Sequence, residues 1–496
     1  MDLYTNKKYK HFYGDLHTHT GFSDGKGTPK EAFEWAKASD RGDFLAVSDH
    51  ADRIDKSKWE ATLKAAREAT DETFVAFASI ESGYSEEYID EDGVAVVNGG
   101  ELNLLGASEL IVESGYPVSG EDFGKLLSKQ KEAIAFFNHP QEASWPTDKI
   151  WNAYRDFEVL KPEENPQIIG VEVSNETSAY NDLHELVYSI ALDKGWRIVP
   201  LANSDTHSGK WLSGFDDRTV VLAEALTPEH LLEAFRQRRV YAVQDPAFQI
   251  EFEINGEVMG SVLNEVCTQY EIKIVLENRL PKEGEAFECI QLISDHGEVV
   301  AEKRLNTFCD SWQFEVTSKT AHYYFVRAIN QVGKKIWTAP IWTRRQPERW
   351  EQIHKGIRIP MDSISICDVS SEQIEHSIQE ILNPDTKTWW EADREEGEIV
   401  LDLGKVTDIV GIGYRKNYIA YEDHEALRKL LDTYEYKIQL EKQSEPVHIE
   451  KGRILNYGKE HYCGFQSTKG RYIYIKAKSI GEHSNVAIGN LFIYTN

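Results

Sequence analysis

Short apolar runs alternate with longer segments of helical spacing from residue 11 to about residue 245, and this alternation is the strongest constraint on the fold. Runs such as DFLAVSDH and AIAFFNHP have the length of buried strands. The segments between them place apolar residues three and four apart and begin with helix-start pairs such as Thr28-Pro29 and Asn181-Asp182. Strands that alternate with helices form βα units, so we predict a largely parallel sheet or barrel for residues 1–245.

The pattern changes after residue 246, where apolar and polar residues alternate one by one. The run FQIEFEINGEVMGS contains the turn signal Asn255-Gly256 between two such stretches. We predict a small antiparallel β-sandwich over residues 246–345, a polar linker over 346–362 and a second β-rich domain over 363–496. A chain of 496 residues is long enough for several domains.

Composition and charge argue against some classes of function. The chain has 55 Lys and Arg against 83 Asp and Glu, a net charge of −28 that repels nucleic acid, although short oligonucleotide substrates stay open. No stretch approaches the roughly 18 apolar residues of a membrane span, and the first residues do not form a signal peptide. The five cysteines are too widely spaced for a CxxC site or a disulfide framework, so we expect a cytoplasmic protein with reduced thiols.

Nearly every apolar run of the first domain ends in side chains suited to metal binding. Each pair alone has little specificity, and a second Ser-Asp-His, at residues 294–296, is interpreted as a turn between strands. In parallel α/β folds, however, the carboxyl ends of the strands meet on one face, where distant residues come together. The residues at these ends are His17 and His19, Asp49 and His50, Glu81, Asn138 and His139, Glu172 and Asn175, and Asp205 and His207.

The repetition of this pattern predicts a metal centre, against the alternative of polar groups that are satisfied separately. Imidazole and carboxylate without thiolate suit zinc, manganese or iron, and the donors exceed one tetrahedral site. We therefore expect two or three divalent metal ions (Mn, Zn or Fe). Such a centre lowers the pKa of bound water, which provides a metal-bridging hydroxide near neutral pH.

The first domain resembles the PHP (polymerase and histidinol phosphatase) superfamily. The resemblance rests on the motifs of that family, taken in chain order: an HxH pair, a strand-end His, a Glu, another His and a DxH pair. In this chain these are His17 and His19, His50, Glu81, His139, and Asp205 and His207. The segments YGDLHTHTGFSDG and ALTPEHLLEAFRQRRVYAVQD are most similar to the CehA/McbA-like branch. The resemblance implies a distorted (β/α)7 barrel, an α/β fold with a di- or trinuclear site. The metal ligands that it implies are His17, His19, Asp24, His50, Glu81, His139, Asp205 and His207.

One segment departs from this family. Where phosphoesterase members carry a ligating His in a motif like EIHIVG, this chain has GELNLLG, which offers Glu101 and Asn103. Asn is a poor ligand for a His site, so the third metal is the open question. Glu172 is interpreted as a carboxylate behind the ligands or at the rim. His11 and His184 are interpreted as ordinary residues.

Other residues are candidates for catalysis and substrate contact. One imidazole in such a site can protonate the leaving oxygen, and the candidates for this acid or base role are His50, His139 and His207. Lys26, Arg53 and Arg218 are the candidate phosphate contacts, against the alternative that each is a surface charge.

The last domain resembles a discoidin-type (F5/8 type C) β-sandwich. The segments that carry this are WWEADREEGEIVLDLGKVTDIVGIGY, GRYIYIKAK and IGNLFIY. The resemblance implies either carbohydrate binding or domain packing. It gives structural roles to Trp389 or Trp390, to Asp402-Leu403-Gly404 and to Arg471, and the middle sandwich is expected to support the barrel.

The sequence therefore predicts a metal-dependent hydrolase of ester bonds, first of all a phosphoesterase for phosphomono- or phosphodiesters. A carbamate, amide or carboxylic ester hydrolase with the same site is the enzymatic alternative. A glycan-binding or scaffold protein with a residual metal site is the non-catalytic alternative. The expected partner is a small-molecule or glycan-linked ester, without a membrane. The substrate, the physiological metal and the oligomeric state stay open.

Overall fold

The structure is a computed structural model of the 496-residue chain. It describes residues 8–89, 95–107, 110, 119–140, 150–154, 157, 160–175, 181–344, 356–383, 388–415, 431–453, 461–479 and 484–496. The described residues divide into two compact units. The first unit holds most of those up to residue 344. The second holds those from residue 356 onward, together with the short segments 86–89, 95–98 and 150–154.

The region up to residue 245 alternates strands with helices, as its sequence pattern predicts. Helix α1 begins with a capping box. The Thr28 hydroxyl accepts a hydrogen bond from the Glu31 backbone N–H, and the Glu31 carboxylate accepts one from the Thr28 backbone N–H. The described helices are α1 Pro29–Ser39, α2 Lys56–Ala69, α3 Gly120–Leu127, α4 Asn181–Asp193 and α5 Pro228–Arg236. The described strands are β1 Lys10–Asp15, β2 Phe44–Val47, β3 Val75–Ile89, β4 Ala95–Leu105, β5 Ile134–Phe137, β6 Ile150–Ala153, β7 Ile168–Asn175, β8 Val199–Asn203, β9 Arg218–Ala223 and β10 Val240–Val243.

The sheet of this region is mixed rather than uniformly parallel. Its order is β10-β9-β1-β2-β3-β4-β5-β7-β8. Strands β1, β2 and β3 run parallel, as do β5, β7 and β8. Strand β9 is antiparallel to β1 and β10, and β4 is antiparallel to β5. The predicted (β/α)7 barrel is therefore not confirmed, and residues 90–94 between β3 and β4 are too few for the helical crossover that a parallel pair needs.

The sheet curls, which brings its ends together. The last strand in the order, β8, contacts both β9 and β10. Thr219 in β9 donates its hydroxyl to the carbonyl of Ala202 in β8 at 3.1 Å. Because the parallel triplets have their carboxyl ends on one side, the strand-end residues converge there.

The middle region is antiparallel, as predicted, and it is hydrogen-bonded to the first region. One sheet has the order β12-β11-β13-β16, and strand β18 of the other pairs with β10 through Val243 and Ile336. One continuous core extends from Phe12 to Ile341. The boundary at residue 245 stays a prediction. The strands are β11 Phe248–Ile254, β12 Glu257–Val258, β13 Gln269–Asn278, β14 Phe287–Ile293, β15 Val299–Thr307, β16 Cys309–Thr317, β17 Tyr323–Asn330, β18 Lys335–Thr338 and β19 Ile341–Trp342.

The second unit is a β-structure with its own core. Trp390 is fully buried in it and donates its indole N–H to the Ser371 carbonyl at 3.0 Å. Arg471 forms a bidentate pair with Asp402, at 2.7 and 2.8 Å. The strands are β20 Ile357–Arg358, β21 Ser365–Val369, β22 Trp390–Glu391, β23 Glu396–Arg415, β24 Leu431–Gln439, β25 His448–Arg453, β26 His461–Ser479, β27 Ala487–Ile488 and β28 Asn490–Thr495.

All five cysteines are free thiols. Among the described residues, no helix has the length and apolar character needed to cross a membrane.

Candidate metal centre

The HxH and DxH segments lie side by side just beyond the strand ends. His17 and His19 follow β1, and both side chains are fully buried. The amide of His19 donates to the carbonyl of Thr206 at 3.0 Å, and the amide of Asp205 donates to the carbonyl of His17 at 2.8 Å. The two rings of the HxH pair are thus held beside the Asp205 carboxylate.

Glu81 of β3 lies at the centre of the cluster and faces four imidazoles. Its Oε1 is 3.2 Å from His17 Nε2 and 3.4 Å from His139 Nε2. Its Oε2 is 3.2 Å from His19 Nε2 and 3.2 Å from His50 Nδ1. A carboxylate whose two oxygens face different pairs of nitrogens has the arrangement of a bridging ligand.

Asp205 and Asp24 complete the cluster on either side. Asp205 Oδ1 lies 3.2 Å from His17 Nε2 and 3.1 Å from His19 Nε2. Asp24 Oδ1 lies 3.3 Å from His207 Nε2, and Asp24 Oδ2 lies 3.4 Å from His50 Nε2. The structure therefore brings together the side chains of all eight residues that the sequence nominated as ligands. Their role as ligands stays a proposal.

Glu101 of β4 joins this cluster, whereas Asn103 does not. Glu101 Oε2 is 3.7 Å from His139 Nε2, and its Oε1 is 3.9 Å from His50 Nδ1. The Asn103 amide donates to the Leu16 carbonyl at 3.2 Å and accepts from Asn138 at 3.1 Å. Position 103 thus has a structural role, and the extra carboxylate is supplied two residues earlier.

Glu172 lies behind the ligands and is fully buried in β7. Its Oε1 is 2.9 Å from His17 Nδ1, which leaves the Nε2 of that ring facing the cluster. Its Oε2 accepts the backbone N–H of His139 at 2.8 Å. Carboxylates in this position fix the tautomer and orientation of metal-binding histidines. The side chains of Asn203 and Asn175 donate to Glu172 in turn.

Two further strand-end residues that the sequence pattern includes, but not among the predicted ligands, support the cluster. Asn138 donates to Glu81 Oε1 at 2.5 Å. Asp49 accepts from the Thr20 amide and from the hydroxyls of Thr20 and Ser23, which fixes the loop that carries Asp24. The sequence signal for this role is position, because Asn138 directly precedes His139 and Asp49 directly precedes His50.

The charges of the cluster compensate one another. Burial alone would lower the pKa of His19, but the carboxylates of Asp205 and Glu81 raise that pKa to about 10. Burial would also lower the pKa of His139, but the Glu81 carboxylate raises that pKa to about 10. Burial would raise the pKa of Glu81, but the facing imidazoles hold it well below its ordinary value. The cluster therefore binds protons that a metal ion would displace.

The buried ring nitrogens test whether a metal fits. His17 Nε2 and both ring nitrogens of His19 are buried and form no hydrogen bond of acceptable geometry within the described part of the chain. Buried polar atoms of this kind require a partner. Five imidazoles and four carboxylates around one centre are donors suited to divalent cations, so the residues fit the metals that the sequence predicts. Four sets of side chains each bring their ligand atoms close enough together to hold an ion. These sets are His19, Asp24, His50 and His207; His17, His139 and Asp205; His17, His19 and Glu81; and Glu81, Glu101 and His139.

The three candidate substrate contacts have different positions. Arg53 Nη1 is 3.2 Å from Asp24 Oδ2, and the Arg53 side chain is half exposed. Lys26 is exposed and lies in the Asp24 loop. Arg218 is fully buried and donates to the backbone carbonyls of Arg41, Phe215, Asp217 and Leu212. Arg218 as a phosphate contact is therefore corrected to a structural residue, because its guanidinium is surrounded by carbonyl groups.

Comparison with known proteins gives similarity without a family assignment. No protein-family model and no curated protein matches the chain. A solved two-domain structure from Bacteroides vulgatus, described as "containing predicted PHP-like metal-dependent phosphoesterase", is 17% identical, with a TM-score of 0.37. It covers 68% of this chain and 96% of its own.

Two carbohydrate-binding modules from Clostridium perfringens are similar to a smaller part of the chain. The family 32 module of NanJ, solved with galactose, is 15% identical with a TM-score of 0.24, over 27% of this chain and 96% of its own. The module CpGH89CBM32-5, solved with GalNAc-β-1,3-galactose, is 16% identical with a TM-score of 0.24, over 28% of this chain and 100% of its own. TM-scores in this range do not establish a shared fold.

Proposed function

We propose that the chain is a metal-dependent hydrolase of ester bonds, and of phosphoesters in the first place. The observation that carries this proposal is Glu81, whose two carboxylate oxygens face separate pairs of imidazoles. This donor set would hold two or three divalent cations, which when bound would supply a lowered pKa for bound water and positive charge toward the reacting group.

Binding of a third cation would make the charge balance favour a phosphoester over an uncharged ester. The clustered carboxylates of Asp24, Glu81, Glu101 and Asp205 carry four negative charges, which two divalent cations neutralise. A third cation would leave an excess of positive charge that attracts a phosphate group. Arg53 beside Asp24 adds a further cation at the exposed side of the cluster.

The acid or base that serves the leaving oxygen must be accessible to the substrate. His17 and His19 are fully buried, which excludes them from that role. The side chains of His50, His139 and His207 are 16%, 12% and 40% exposed, so all three remain candidates. All three are also candidate ligands, so the acid or base would have to be whichever of them keeps a ring nitrogen free of metal to hold the proton.

The experiment is a substrate panel with metal removal and replacement. Protein purified without chelator is expected to contain two or three Mn, Fe or Zn per chain by mass spectrometry. It is expected to cleave p-nitrophenyl phosphate or bis-p-nitrophenyl phosphate, to lose at least roughly 100-fold in rate after chelation, and to recover with metal. Turnover of carbamates, amides or carboxylic esters alone would replace the phosphoesterase proposal. Metal without any turnover would favour the scaffold alternative.

Carbohydrate binding by the second unit is a separate proposal. The rings of His376 and Trp389 stack at 4.0 Å. Trp389 Nε1 is 3.4 Å from Glu391 Oε2, and Asn485 donates to Glu391 Oε1 at 3.0 Å. An aromatic surface with a few fixed polar groups is typical of small-ligand sites.

Titration calorimetry tests this proposal with galactose and N-acetylgalactosamine on the full chain. We expect weak binding that Trp389→Ala reduces by at least about 10-fold, since the aromatic surface is lost. Trp35→Ala is the matched control, because Trp35 is a half-exposed indole in the first unit. Equal binding by Trp389→Ala and wild type, or none by either, would contradict the proposal.

A further inference from the structure

The cluster has two chemically unequal sides. One convergent group contains three imidazoles and one carboxylate, from His19, His50, His207 and Asp24. Another contains two carboxylates and one imidazole, from Glu81, Glu101 and His139. We refer to them as the nitrogen-rich group and the oxygen-rich group.

We propose that Glu101 makes the oxygen-rich group selective for an oxygen-preferring divalent cation such as Mn²⁺, while the nitrogen-rich group prefers Zn²⁺. This rests on the proposed metal-dependent function and concerns which metal each group takes. Imidazole donors suit zinc, and carboxylate and water donors suit manganese and magnesium. Three nitrogens and one oxygen also match the four-coordinate geometry that zinc prefers.

The position of Glu101 supports a direct role at the oxygen-rich group. Its two oxygens face different imidazoles, His139 at 3.7 Å and His50 at 3.9 Å, which is wide enough for an ion between them. The side chain is 24% exposed, whereas Glu81 is buried. Water can therefore complete the coordination on the Glu101 side, and water and carboxylate are donors that suit manganese.

Residue 103 cannot replace Glu101 in this role. Both ends of the Asn103 amide are used, by the Leu16 carbonyl and by Asn138. Charge agrees with the assignment, because Glu101 adds a second carboxylate to Glu81 at this group. Without Glu101, the oxygen-rich group would retain one carboxylate and one imidazole of its own.

The test uses the full chain, stripped of metal and titrated with Mn²⁺ and Zn²⁺. Bound Mn²⁺ is followed by loss of its free electron paramagnetic resonance signal, and both metals per chain are counted by mass spectrometry after competition. Wild type is expected to hold both metals at once. Glu101→Gln is expected to weaken Mn²⁺ binding at least about 10-fold and to leave Zn²⁺ at the nitrogen-rich group, because one carboxylate is lost.

Glu101→His is the sharper variant, because it exchanges an oxygen donor for a nitrogen donor. It is expected to lower Mn²⁺ and raise Zn²⁺ per chain, which a purely structural role of Glu101 would not produce. Glu60→Gln is the control, since Glu60 is an exposed residue of α2. Unchanged Mn²⁺ and Zn²⁺ contents in both Glu101 variants would overturn this inference alone, whereas a wild type that binds neither metal would overturn the proposed function with it.

Discussion

Glu81→Gln is expected to lose most of the bound metal and to lower kcat/KM by roughly 1,000-fold, or about 4 kcal/mol of transition-state stabilisation. Glutamine keeps the size of the side chain but removes the charge and one of the two acceptor oxygens. It would also place an amide NH₂ against imidazole nitrogens that now lie 3.2 to 3.4 Å from a carboxylate. Each of the two Glu81 oxygens lies within 3.4 Å of two of these nitrogens.

Metal content and activity separate this expectation from general misfolding. Metal per chain is measured by mass spectrometry, kinetics are measured at saturating metal, and circular dichroism checks that the fold is retained. Glu60→Gln on α2 provides the matched control with the same change at an exposed position. If Glu81→Gln retained full metal and full turnover, Glu81 would not be the bridging ligand and the proposed mechanism would be wrong.

The cluster was predictable from the sequence because strand direction alone brings its residues together. His17 and His50 lie just beyond the ends of β1 and β2, and Glu81 lies beside His50 within β3, which continues to Ile89; the three strands are parallel neighbours. Parallel strands have their carboxyl ends on one side, so three distant segments meet there without any knowledge of the side-chain packing. The residue types then identify the chemistry.

The orientations of other side chains depend on tertiary contacts that cannot be inferred from the spacing of residues in the sequence. Glu101 and Asn103 lie two residues apart on β4 and therefore point to the same side. The side chain of Asn103 donates to the Leu16 carbonyl and accepts from Asn138, and these two hydrogen bonds decide that Glu101 is the one that faces the cluster. Arg218 was misinterpreted for the same reason, since an arginine at a strand start does not reveal that backbone carbonyls surround it.

The middle sandwich is the second place where a large effect is expected. Glu185 of α4 is buried, and its carboxylate is paired with Arg327 of β17 and with Lys335 of β18, the latter at 2.9 Å. Burial would raise the pKa of Glu185, but these two cations hold it well below its ordinary value. The ion pairs connect the helix to the sandwich strands, as expected if the sandwich supports the first region.

Arg327→Met combined with Lys335→Met is expected to lower the free energy of unfolding by roughly 3–5 kcal/mol, because it leaves the Glu185 charge buried without its cations. The loss should depend on pH with a definite sign. In the wild type the pKa of Glu185 is depressed, so its contribution is present above the unfolded pKa and is lost as pH falls. In the double variant burial raises that pKa, so the deficit is largest at pH 8 and smaller at pH 5.

Urea unfolding at the two pH values measures this difference, with two variants that isolate its cause. Adding Glu185→Met to the double variant is expected to restore most of the lost stability, since a buried apolar group replaces an uncompensated charge. Arg304→Met is the control, because Arg304 pairs with Glu288 and Glu302 at the surface and is 68% exposed. A deficit that is equal at both pH values, or that Glu185→Met does not reduce, would mean that lost side-chain packing and not the buried charge explains the effect.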